Sequence, residues 1–144
     1  METIAIQFDF TTNDVKSGLS VGIYFNNKIL QTVNAVESKQ KIAFNVDCAP
    51  GEHVLEFVLK NKTSAHTVLD DNGKIVTDAC VGIENFQIDH VALEHAFFTQ
   101  CRYHHDYNGS QEPIEDNFYG TMGCNGTVVL KFTSPVYRWL VETL

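Results

Sequence analysis

Apolar and polar residues alternate along most of the chain. Ile4, Ile6, Phe8 and Phe10 are separated by Ala5, Gln7 and Asp9, the period of two expected of a strand with one buried face. Leu19, Val21, Ile23 and Phe25 repeat it, and Asn26-Asn27 divides them from the run Ile29 to Val33. Asparagine tolerates positive φ, so the pair predicts a tight antiparallel hairpin. Ile42, Phe44 and Val46 alternate again, then Ala49-Pro50-Gly51-Glu52 makes a turn before the strand from His53 to Leu59. Two short β-prone runs, His66 to Leu69 and Lys74 to Val76, flank Asp70-Asp71-Asn72-Gly73, a strong hairpin signal.

The residues from Val81 to Leu93 read as one long central strand with a bulge or change of face midway, and those from Glu94 to Gln100 as a helical turn. Thr127 to Thr133 is a last strand. Ser134-Pro135 resembles an N-cap followed by proline at the first helical position, with Val136, Trp139 and Leu140 on one face of a short terminal helix. Many short strands, polar turns and no βαβ rhythm predict an all-β chain: a single antiparallel β-sandwich of jelly-roll type over residues 1–144. The stretch 101–126 is expected to be a long loop.

Composition narrows the function classes. With 144 residues, 44% hydrophobic and 19% charged, the chain can bury a core and does not have the makeup of a disordered segment. A formal net charge of -8 opposes nucleic-acid binding, which draws on Lys and Arg against phosphate. No apolar run is long enough to span a membrane, and METIAIQFDF lacks the basic and apolar regions of a signal peptide. Cys48, Cys80, Cys101 and Cys124 are widely spaced and are expected to be reduced.

The candidate chemistry collects in CRYHHDYNGSQEPIEDNFYGTMGCNG, residues 101–126. Cys101, His104, His105 and Cys124 carry zinc-binding atoms, but their spacing matches no common zinc pattern. Cys124 lies in a glycine-rich turn without a positioned base, so a thiol nucleophile is not supported. Asp106, Glu112, Glu115 and Asp116, with Asn108, supply hard oxygen donors that could hold calcium, or a carboxylate pair for glycoside hydrolysis if a fold set their separation. Asp70, Asp71 and Asn72 read first as turn chemistry and only second as a calcium loop. His53 reads as a half-buried structural imidazole. Tyr103, Tyr107, Phe118 and Tyr119 either form a sugar platform or bury their rings and pin the loop; pinning is the expectation.

Several stretches carry a resemblance. Asn61 with His66-Thr67, Asp71-x-Gly73-x-Ile75-Val76-x-Asp78, Tyr103-x-His105-Asp106-x-Asn108-Gly109, Phe118-Tyr119-Gly120-x-x-Gly123-Cys124-Asn125-Gly126-Thr127 and Phe132-Thr133-x-Pro135-x-x-x-Trp139-Leu140 resemble small virion-associated β-sandwich proteins of tailed phages of the marine myovirus kind. Gly51-Glu52-His53 and Ile88-Asp89-His90-Val91 are similar, more weakly, to calcium-dependent carbohydrate-binding modules.

The first resemblance implies a non-enzymatic virion structural or accessory protein, made in the host cytoplasm and assembled in many copies or as a homo-oligomer with other virion proteins. The second implies a glycan-binding module. On either reading the expected contact residues are Tyr103, His105, Asp106, Tyr107, Asn108 and Tyr119. No cofactor is expected, the one candidate being calcium on Asp106, Glu112, Glu115 and Asp116; neither nucleic acid nor membrane is an expected partner.

Overall fold

The opening alternation becomes β1 (Glu2–Thr12), which buries Ile4, Ile6, Phe8 and Phe10 and turns the residues between them outward. A computed structural model describes the whole chain, residues 1–144. After β1 come β2 (Val21–Phe25), β3 (Lys28–Val33), β4 (Lys39–Cys48), β5 (Gly51–Leu59), and a small hairpin of β6 (Thr67–Leu69) and β7 (Ile75–Asp78). The second half holds β8 (Val81–Ile88), β9 (Val91–Ala92), α1 (His95–Gln100), β10 (Cys101–His105), β11 (Ile114–Asn117), β12 (Thr121–Met122), β13 (Gly126–Ser134) and α2 (Val136–Thr143).

These strands make the expected antiparallel β-sandwich. One sheet has the order β12-β8-β1-β4 with β9 added on β8, the other the order β11-β10-β13-β5-β2-β3, and β6-β7 stands as its own two-stranded sheet. The core lies between the two large sheets. Phe8 of β1 meets Phe57 of β5 edge to face at 5.1 Å and 84° and also touches Phe10 and Phe86. Leu55 and Leu59 of β5 and Val128, Leu130 and Phe132 of β13 complete the opposing face, all buried. Each such side chain contributes about 1.5–3 kcal/mol by leaving water.

Local chemistry explains the turns. Asn26 and Asn27 take φ of 48° and 68° between β2 and β3, as the asparagine pair predicts. In the β6-β7 turn Asp70 Oδ1 accepts from the Asn72 and Lys74 amides at 2.9 Å each, so that carboxylate serves the turn. His53 is buried: Nδ1 accepts from the Asn26 amide at 2.9 Å, Nε2 donates to the Ala49 carbonyl at 2.6 Å, and the ring stacks on Phe25.

Three expectations are corrected. The stretch 101–126 is not one loop; it supplies β10, β11 and β12, leaving Asp106 to Pro113 as its longest irregular part. Its inward positions are Cys101, Tyr103 and His105, whose mixed polarity hides the alternation. The run 81–93 is a hairpin rather than a single strand, turning at Asp89 and His90 with φ of 47° and 65°. Asp89 exchanges two 2.8 Å bonds with the Ala5 backbone, one through its carboxylate, which repays the unusual backbone. Ser134 ends β13 instead of capping α2; the first free amide of the helix, Val136 N, donates to Glu2 Oε1 at 2.8 Å. The face of Val136, Trp139 and Leu140 is buried as expected.

Because Phe8 joins rings from both sheets, Phe8→Ala is expected to destabilise the protein by about 3–5 kcal/mol. Urea unfolding followed by tryptophan fluorescence measures this, and a loss under about 1 kcal/mol would mean that the sheets are not held together here.

Candidate functional site

Strand β10 sorts its residues by face. Tyr103 and His105 point into the sandwich, while His104 between them is exposed on the outer face. His104 stands opposite Glu115 of β11 on one side and Thr127 of β13 on the other, and Thr127 stands opposite Val58 of β5. Between this row and the Asp106 to Pro113 loop lies an open groove of about 730 Å³, within the size range of small-molecule sites. Val58, Pro113 and Ile114 give it apolar surface; Lys60, His104 and Thr127 are among its polar groups.

The floor needs a glycine. A Cβ on Gly126 would fall 2.4 Å from the His104 carbonyl oxygen and 2.9 Å from the His105 Cβ, so any other residue would push β13 away from β10.

The inner side of the same strand anchors the groove. The Tyr103 hydroxyl accepts from the Cys124 amide at 3.0 Å and donates to the Cys124 carbonyl. Burial pushes its phenol well above the usual range, so it stays a neutral donor. Asn108 Oδ1 accepts from the Asn125 amide at 2.7 Å, tying the loop tip to the turn before β13. The Asn125 side chain in turn bonds both backbone groups of Lys62, at 2.8 Å each. Lys62 is itself buried, and its ammonium reaches Asp78 Oδ1 at 2.5 Å and the Gly123 carbonyl. Burial alone would raise the Asp78 carboxyl, but bonds from Lys62 and Thr67 and the Lys62 charge outweigh it and hold it below its ordinary value.

The expected contact residues divide accordingly. His105 and Asp106 line the groove, Tyr103 is buried beneath it, and Asn108 is a tether. Tyr107 is half-exposed and packs its ring against His105 at 4.6 Å. Tyr119 is 79% exposed and lines no part of the groove. The ring-pinning expectation therefore describes Tyr103 and Phe118, both buried, and not Tyr119. Val58, Lys60, His104 as a surface group, Ile114 and Thr127 were missed; for Val58, His104 and Thr127 the only signal was their outward place in alternating strands.

The carboxylates are not gathered for calcium. Asp106 Oδ1 accepts from the Gly109 amide at 2.8 Å, Glu115 pairs with Arg102 at 2.9 Å, and Asp116 Oδ1 accepts from the Asn117 amide while Oδ2 lies 3.7 Å from His105 Nε2. Glu112 is exposed in the loop. Nowhere are three His, Cys, Asp or Glu side chains grouped so as to hold a metal ion, so the four named carboxylates do not converge on one point. The cysteines are free thiols. Burial pushes Cys101 and Cys124 upward, the latter against the opposing Lys62 charge, and raises Cys48 to about 11.

Two solved structures share this architecture. One is a selenomethionine form of vCBM60, described with two families of calcium-dependent carbohydrate-binding modules; it is 13% identical, covers 88% of this chain and 89% of its own, and has a TM-score of 0.57. The other is vCBM60 in complex with galactobiose, 14% identical over 88% and 96% of the two chains, with a TM-score of 0.50. At this identity the likeness establishes the β-sandwich. No family model matches the sequence, and no curated protein matches it. Both are described as carbohydrate-binding modules, the kind of protein that the second of the two sequence resemblances names.

Tyr103→Phe keeps the buried ring but leaves the Cys124 backbone groups unpaired, and is expected to cost about 1–3 kcal/mol in urea unfolding. The Asp78 carboxyl is depressed on folding, so its contribution is present above its ordinary value and is lost as pH falls through its lower folded value. Stability measured from pH 7 down to pH 2 should therefore fall below about pH 4, and Asp78→Asn should flatten part of that fall. An identical acid profile in the variant would remove Asp78 from the account.

Proposed function

We propose that this protein is a non-catalytic carbohydrate-binding module whose glycan occupies the groove between the Asp106 to Pro113 loop and the outer face of β10, β13 and β5. The observation that carries the reading is the groove's mixed lining. A pyranose ring presents apolar C–H faces and a rim of hydroxyls, and Val58 and Ile114 stand beside His104, Lys60 and Thr127 in one site. Those three polar side chains are free of the bonds that occupy their neighbours Asp106, Glu115 and Asn125. The fold shared with vCBM60, seen with galactobiose, supports the same reading.

The states of the reactive groups support binding over cleavage. Burial raises the Cys101 and Cys124 thiols, and Asp106, Glu115 and Asp116 already accept from backbone amides or pair with Arg102. Calcium is given no step, because the four named carboxylates are not gathered. A virion setting, implied by the first sequence resemblance, would be a location for such a module and not a competing activity.

A glycan array probed with and without calcium tests the reading. Binding to at least one glycan class is expected, unchanged by EDTA, with a loss of roughly tenfold or more in His104→Ala. Silence across the array in both conditions would overturn it. Binding abolished by EDTA would show that a metal site forms from other donors.

A further inference from the structure

Resting on the glycan-binding reading, we propose that the ligand is a linear, neutral oligosaccharide lying across the strands of the six-stranded sheet, with Tyr24 as a stacking platform at the far end. The groove does not stop at Val58. A second depression of about 150 Å³ begins there, bounded by Gly22, Tyr24, Thr32 and Asn61, and the two share Val58 and Lys60. The register places Glu115, His104, Thr127, Val58, Gly22 and Thr32 in one row, each opposite the next, on β11, β10, β13, β5, β2 and β3. Five strand spacings extend roughly 24 Å. That is a track for several sugar rings in file, and far longer than one terminal sugar needs.

Gly22 gives the track its far subsite. A Cβ there would lie 3.0 Å from Tyr24 Cε1, so the tyrosine ring leans back along β2 and takes the place a side chain at position 22 would fill. A ring held this way offers apolar surface to a pyranose C–H face at little cost in side-chain freedom. Around it Ser20, Thr32 and Asn61 provide hydroxyl and amide groups. The charges do not select an anionic polymer: Glu115 is paired with Arg102, while Lys60 and Asp106 oppose each other in sign along the groove.

Calorimetry with galactan-derived oligosaccharides and with the best series from the array, each from di- to hexasaccharide, tests the track. Affinity is expected to rise about tenfold or more with length and to be insensitive to salt. Tyr24→Ala should reduce the hexasaccharide to disaccharide affinity while leaving the disaccharide unchanged, and Tyr24→Phe should retain the gain. Should Tyr24→Ala lower thermal stability, Gly22→Val supplies the second variant, since it displaces the ring without removing it and should show the same selective loss. Wild-type binding that is independent of length and unaffected by these changes would overturn the track while leaving the glycan reading intact. Absence of binding in every series would overturn both.

Discussion

A continuous line of aromatic contacts joins the centre of the sandwich to the edge of the groove, and the candidate site depends on it. Phe8 and Phe57 lock the two sheets together, Phe86 stacks on Phe8 and on Phe97, and Phe97 meets Phe118. Phe118 meets Tyr103, Tyr103 meets His105 at 4.5 Å, and His105 meets Tyr107 at 4.6 Å. The rings fall from complete burial at Phe8 to half-exposure at Tyr107. A segment that would otherwise fray as a loop is thereby fixed to the core along its length.

This anchoring separates two tasks on one strand. The inward residues of β10 fill space and hold the turn at Cys124, while on the outer face Arg102 is paired with Glu115 and His104 is left without a side-chain partner. The buried Lys62 does the same work from the other side, clamping Asp78 and Gly123 and, through its backbone, Asn125. A groove wall whose loop tip and turn are already tied to the core needs little reordering on binding, which lowers its entropy cost.

The β-sandwich was legible because alternation survives wherever the inward residues are plainly apolar, as in β1, β2 and β5. It failed at β10, whose inward side is Cys101, Tyr103 and His105, and at the β8-β9 hairpin, where Asp89 and His90 stand in for the usual asparagine and glycine. The site was legible only in part. His105 and Asp106 drew attention as reactive residue types, but the groove also needs Val58, His104 and Thr127, which are brought together by register across three strands. Register is a property of pairing between distant segments, and a linear pattern carries no mark of it. Calcium is a candidate from sequence because the carboxylates lie close along the chain; strand alternation and local capping give Asp106, Glu115 and Asp116 separate partners.

The central claim is that the outer face of the six-stranded sheet is the binding surface. Backbone amide NMR during titration with the tightest-binding array glycan addresses it directly. The account predicts that the largest shift changes fall at His104, Thr127 and Val58, spreading to Gly22 and Thr32, with the β6-β7 hairpin unmoved. Changes concentrated on that hairpin or on the opposite sheet, with the His104 row silent, would contradict it.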